Sequence, residues 1–187
     1  MLNFEHSSRA TRGARDYQED TALVWPGGDP FLPAAAPGDG VRALVAVLAD
    51  GMGGHIGGAL ASRTVCEHFV AAYAKETGAE PERLLGALRA ANDAITAKVT
   101  ANPMLSGMGS TVIGATFEGR HVHWVSVGDS PLLLYRRGEI ALLNEDHSLA
   151  PELDALAAAG KITSAEARSD PRRHMLRSAV TGDDLEM

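Results

Sequence analysis

The chain has 187 residues, 45% of them hydrophobic and 22% charged, enough apolar material for one folded domain with its own core. Its formal net charge is −7 and its lysines and arginines form no blocks, which excludes a phosphate-tracking nucleic-acid surface. The longest strongly apolar run, residues 44–49, is far too short to span a bilayer, and residues 1–13 carry no stretch of signal-peptide length, so a cytoplasmic protein without a membrane partner is expected.

Residues 21–25 read as a short strand, and the Pro/Gly/Ala-rich residues 26–40 as a loop between strands. The continuous apolar run 44–49 is a buried strand, stopped by Asp50-Gly51. Ala61, Val65, Phe69 and Tyr73 recur every fourth residue and mark an amphipathic helix. Pro81 suits the first turn of a second helix, whose apolar stripe runs through Leu84, Leu88, Ala91, Ile95 and Val99 before Asn102-Pro103 ends it. The pattern then changes to strands at 110–117, 121–127, 132–136 and 139–143, joined at Glu118-Gly119 and Arg137-Gly138 as an antiparallel meander. Helix returns over 151–159, with Gly160 as its stop. This order of elements describes a layered α+β fold.

Two acidic segments carry the chemistry. Asp50 closes a buried strand, where a carboxylate is costly unless it meets a cation or hydrogen-bond donors, and the glycines after it let main-chain carbonyls approach such a cation. Taken alone, Asp-Gly is equally a tight strand-to-helix turn with Asp50 as N-cap. The second segment is Arg15-Asp16-Tyr17-Gln18-Glu19-Asp20, just before the first strand. Adjacent Glu19 and Asp20 alone read as a solvated strand end. Together the segments offer hard oxygen ligands for a divalent ion, and in Arg15 a planar fork that fits phosphate oxygens. Cys66, the only cysteine, permits neither an internal disulfide nor a thiolate metal site, so any metal needs oxygen ligands.

Arg15-x-x-Gln18-Glu19-Asp20, Asp50-Gly51-Met52-Gly53-Gly54-His55, Gly107-Met108-Gly109-Ser110-Thr111, Val127-Gly128-Asp129-Ser130 and Glu145-Asp146-His147-Ser148 resemble, in order, motifs of the protein phosphatase 2C family in its bacterial form. The resemblance implies a four-layer α-β-β-α sandwich with two antiparallel sheets and a centre of two Mn²⁺ or Mg²⁺ ions at one edge. It implies that Asp50 bridges both ions, that the Gly51 carbonyl binds one, that Glu19 and Asp20 hold water on the metals, and that Arg15 receives the substrate phosphate. The implied reaction is direct attack by metal-activated water on phosphoserine or phosphothreonine in proteins, with no covalent enzyme intermediate. The implied partners are phosphoprotein substrates, those of a cognate serine/threonine kinase among them.

The sequence also departs from the family's pattern. Ser106 stands where many bacterial members carry an aspartate associated with a third metal, Pro131 follows Gly128-Asp129-Ser130 in place of arginine, and Gln18 replaces asparagine. Met52 takes the position of the histidine proposed as general acid in eukaryotic relatives, and His55 reads as a structural histidine rather than its substitute. Residues 148–173 match the position of the family's flap, and an amphipathic helix packed on a sheet fits them equally. A Ser-Asp-Gly strand and an Asp-Asn segment that complete the family's metal site do not occur, and Asp183 and Asp184 come too early to replace them. The expectation is therefore one domain over 1–187 that stops before its last strands, weakly active or inactive by itself. The alternative is a non-catalytic pseudophosphatase that binds phosphoproteins. A nucleotide-binding loop at residues 51–58 is excluded, because the glycines miss Gly-x-Gly-x-x-Gly, Asp50 repels a pyrophosphate and no βαβ alternation follows.

Overall fold

In the computed structural model the described residues are 4–25, 43–53 and 55–185, so the expected loop at 26–40 lies outside them, as does the His55 side chain. The strands are β1 (Asp20–Trp25), β2 (Ala43–Met52), β3 (Gly109–Ser110), β4 (Val112–Glu118), β5 (His121–Val127), β6 (Leu133–Arg136) and β7 (Glu139–Leu142). The helices are α1 (His55–Lys75), α2 (Glu80–Ala101), α3 (Ala150–Ala158) and α4 (Ser164–Ser169), with a 3₁₀ turn at Pro103–Leu105.

Both sheets are antiparallel. The larger has the order β1-β2-β4-β5, with β3 paired to the far end of β2, and the smaller is the β6–β7 ribbon. The expected four-strand meander is thus two hairpins in two sheets. The chain leaves β5 at Gly128, whose φ of +106° turns it away, and Pro131 has no N–H to extend a ladder. Arg137 and Gly138 both have positive φ, the paired left-handed conformation that closes a two-residue hairpin.

Strand alternation decides which face is covered. Val45, Val47 and Ala49 of β2 are fully or almost fully buried, while Leu48 between them is 42% exposed. The helical stripes read from the sequence form the other half of this core: Ala61, Val65, Phe69 and Tyr73 of α1 and Leu84, Leu88, Ala91 and Ile95 of α2 are all buried in it. At the α1–α2 junction the Tyr73 hydroxyl and the Arg83 guanidinium both donate to Glu80, and Arg83 lies 3.9 Å over the Tyr73 ring. Cys66 is buried and donates to the Thr21 carbonyl across the α1–β1 contact, and burial pushes its thiol pKa up, away from reactivity. No helix among the described residues is long and apolar enough to cross a membrane.

Helix and sheet approach closely at Gly114 in β4, where an added Cβ would collide with the Phe69 ring. Gly114→Ala is expected to cost about 1–3 kcal/mol through overpacking. In urea denaturation the midpoint should fall, and Phe69→Leu in the same chain should recover part of the loss. A double variant whose loss equals the sum of the two single losses would mean that the two positions do not press on each other.

Candidate functional site

The start of β1 and the end of β2 lie side by side because the strands are antiparallel, and the register sets Asp20 directly opposite Asp50. One residue further out, the Gly51 N–H donates to the Glu19 carbonyl at 3.2 Å. The hydrogen bonds of the Asp50 main chain point the other way, toward Thr111, so Asp20 and Asp50 form a non-hydrogen-bonded pair, in which facing side chains stand closest. Burial, and next the charge of Asp20, push the Asp50 carboxyl up to about 6; Asp129 adds to the rise and Arg15 opposes it.

Glu19 supplies a second signal. Its Oε2 lies 3.6 Å from Arg15 Nη1, while its Oε1 is buried without a hydrogen-bond partner. An orphaned carboxylate oxygen in a nearly buried side chain is costly unless a cation or donor completes it. The packing around it requires two glycines: a Cβ on Gly51 would collide with the Gly58 carbonyl, and one on Gly58 would collide with Glu19 Oε1 and stand 3.0 Å from the Gly51 carbonyl oxygen. The first turn of α1 therefore closes on both oxygens, and any side chain at position 58 would fill the space between them.

These residues open into a cleft of about 980 Å³ lined by Arg15, Glu19, Asp50 and Gly51. His174, Arg177, Asp183, Asp184 and Asp129 also line it. Arg15, Glu19, Asp20, Asp50 and Gly51, the residues singled out from sequence, thus come to one corner, with Gln18 donating to Asp20 at 3.0 Å. Ser106 caps the 3₁₀ turn and does not line the cleft, whereas Met52 does. The flap position, 148–173, holds α3 and α4, bridged by Arg173, which pairs with Asp154 of α3 at 2.8 Å and donates to the Ala167 carbonyl of α4 at 3.3 Å.

Sequence reasoning gave no role to Asp129 and dismissed Asp183 and Asp184. For Asp129 a signal existed, since it follows an apolar strand and a glycine, much as Asp50 follows the apolar run of β2. The 180–185 segment carries no local signal. Its position comes from long-range bonds: Asn92 accepts from the Gly182 N–H and donates to the Asp183 carbonyl, and Thr96 donates to the Gly182 carbonyl. The donor set is all oxygen, which matches the preference of Mg²⁺ and Mn²⁺. Among the described residues no three His, Cys, Asp or Glu side chains close around one point.

The protein phosphatase 2C family matches residues 34–184. The chain belongs to the protein phosphatase 2C family. The serine/threonine protein phosphatase PstP of Mycobacterium tuberculosis is 39% identical over 152 residues, covering 79% of this chain and 28% of PstP. The crystal structure of M. tuberculosis PstP/Ppp superposes with a TM-score of 0.70 at 34% identity, covering 92% of this chain and 65% of that one. The PstP catalytic domain in complex with two manganese ions gives a TM-score of 0.67 at 33% identity, over 92% of this chain and 64% of that one. This phosphatase 2C chain spans 28% of the length of the mycobacterial protein it matches.

The raised Asp50 carboxyl makes a pH prediction for the metal-free chain. Its folded pKa exceeds the unfolded value, so its contribution is favourable below about pH 4 and is lost as pH rises toward about 6. Asp50 is only half-buried, so solvent screening reduces the effect to about 1 kcal/mol. Asp50→Asn is expected to raise Tm at pH 7.5 by about 2–4 °C and to flatten the decline between pH 4 and 6, as followed by thermal melts without divalent ions. A lower Tm for the variant at pH 7.5 would show that Asp50 and Asp20 do not repel.

Proposed function

We propose that this chain carries the active-site corner of a divalent-metal-dependent protein serine/threonine phosphatase. The observation that supports this most strongly is the Asp20–Asp50 pair held opposite each other at the strand ends, beside a buried Glu19 oxygen that lacks a partner. Two like charges in that position fit a site completed by cations. Asp50 and the Gly51 carbonyl are the inner ligands in this reading, and Glu19 and Asp20 take outer positions through water. When bound, two Mn²⁺ or Mg²⁺ ions supply positive charge to the phosphoryl oxygens and acidify water.

The chain's own residues do the rest. The Arg15 side chain is two-thirds exposed and pairs with Glu19 at 3.6 Å, a position from which it can turn toward a phosphate, which its fork grips by charge-assisted hydrogen bonds. The open cleft admits a phosphorylated peptide segment, and His174 and Arg177 line the same space. Water adds to phosphorus, the seryl or threonyl oxygen leaves and takes up a proton, and inorganic phosphate is released. No serine or cysteine nucleophile is required. The substrates are phosphoproteins, including those of a cognate serine/threonine kinase, and the setting is cytoplasmic signalling.

One observation favours a second reading, a phosphoprotein-binding module without catalysis: among the described residues no three acidic or imidazole side chains enclose one point. A phosphothreonine peptide with and without Mn²⁺ separates the two. Turnover by the phosphatase, however slow, should require Mn²⁺ and vanish in Asp50→Asn, while Arg15→Ala should raise KM about 10-fold through loss of a charged hydrogen bond. Peptide binding that is indifferent to Mn²⁺, with no phosphate released, would establish the binding module and overturn the enzyme.

A further inference from the structure

The ladder between β2 and the β3–β4 segment is half broken at one residue pair. Thr111 lies opposite Asp50, and its N–H donates to the Asp50 carbonyl at 2.9 Å as an antiparallel pair requires. The reciprocal bond is missing: the Asp50 N–H goes to the Thr111 side-chain hydroxyl, at 3.0 Å, instead of the Thr111 carbonyl. The hydroxyl of Ser110 lies within hydrogen-bond distance of both that carbonyl, at 2.8 Å, and the Asp50 carbonyl, at 2.9 Å, so its one proton is shared between them. The main chain of Asp50 is therefore held by two side chains, both in the segment 110–111.

Thr111 reaches a second element as well. Its hydroxyl shares a 2.8 Å hydrogen bond with the hydroxyl of Ser130, and its methyl packs on Gly128, where an added Cβ would stand 2.6 Å from Thr111 Cγ2. Gly128 and Ser130 flank Asp129 on both sides. The loop is anchored at its other end by Asn144, which donates to the Ser130 carbonyl at 2.9 Å and accepts from the Leu132 N–H at 2.7 Å. Thr111 itself is 3% exposed, so neither bond is shared with bulk water.

We infer that Thr111 is a positioning residue: through its hydroxyl it fixes the strand end that carries Asp50 relative to the loop that carries Asp129, and so sets the spacing of the acidic groups that receive the cations. The assignment rests on the metal reading of Asp50 proposed above. It makes the hydroxyl the deciding group at this point, since valine would keep the methyl contact to Gly128 and leave the Asp50 N–H without an acceptor, while serine would keep the acceptor. Buried groups that orient metal ligands in this way contribute to metal affinity.

The test is Mn²⁺ binding by the 187-residue chain, measured by calorimetry and by the electron paramagnetic resonance of free Mn²⁺, with Tm recorded for each variant. Thr111→Val should weaken Mn²⁺ binding about 10-fold or more, Thr111→Ser should stay close to the unaltered chain, and Ser130→Ala should weaken binding in the same direction but less. Thr111→Val with Ser130→Ala should be no worse than Thr111→Val alone, because both act through one hydroxyl. Lowered Tm with unchanged Mn²⁺ affinity in Thr111→Val would make the residue merely structural and overturn the assignment. Should Thr111→Val not fold, Ser130→Ala decides, and unchanged affinity there overturns it equally. Failure of the unaltered chain to bind Mn²⁺ would overturn the metal reading itself, an outcome distinct from equal binding by all variants.

Discussion

Two carboxylates set against each other where adjacent strands end is the constraint on which this molecule turns. Left to themselves, Asp20 and Asp50 repel, and the burial that raises the Asp50 carboxyl makes its charged form costly. The sheet tolerates the arrangement because the rest of the core holds the two strands in register: α1 packs its apolar stripe onto β2 and β1, and α2 packs on α1 and β5. A one-residue slip would send Asp50 to the opposite face, toward the apolar core under the helices. The stability of the core is what keeps an unfavourable electrostatic pair in place.

The same logic explains why the surroundings are so short of side chains. Glycines at 51 and 58 let α1 begin almost on top of the acidic corner, and helix packing at Phe69 and Gly114 brings the whole α1 axis down onto the sheet. Farther along, α2 contributes from the other side. Asn92 and Thr96 take the main chain around Gly182, so the helix that supplies much of the core also fixes the segment bearing two more carboxylates at the cleft wall.

Much of this was legible from the residues because the signals are local. The four-residue spacing from Ala61 to Tyr73 and the stripe from Leu84 to Ile95 state a helical face directly, and an apolar run ended by Asp50-Gly51 states a buried strand with an acid at its tip. The meander was misread because pairing between β5 and β6 depends on where the chain goes after Gly128, and a positive φ there is not visible in a list of hydrophobic residues. Thr163 and Glu166 spell out the capping box that starts α4, a local signal written in the sequence itself. Thr111 and the 180–185 segment could not be placed by spacing, since each is brought to the cleft by bonds between positions far apart along the chain.

The contact between Gly58 and Glu19 ties together positions that lie far apart along the chain. A mutation giving position 58 any side chain would strike the acid before it disturbed the helix, so its phenotype should imitate damage to the acid itself. Over evolutionary time the two sites are then free to drift only as a couple: a homologue that acquired alanine at 58 would have to shorten or redirect its acid at 19 in the same lineage, or abandon the corner altogether.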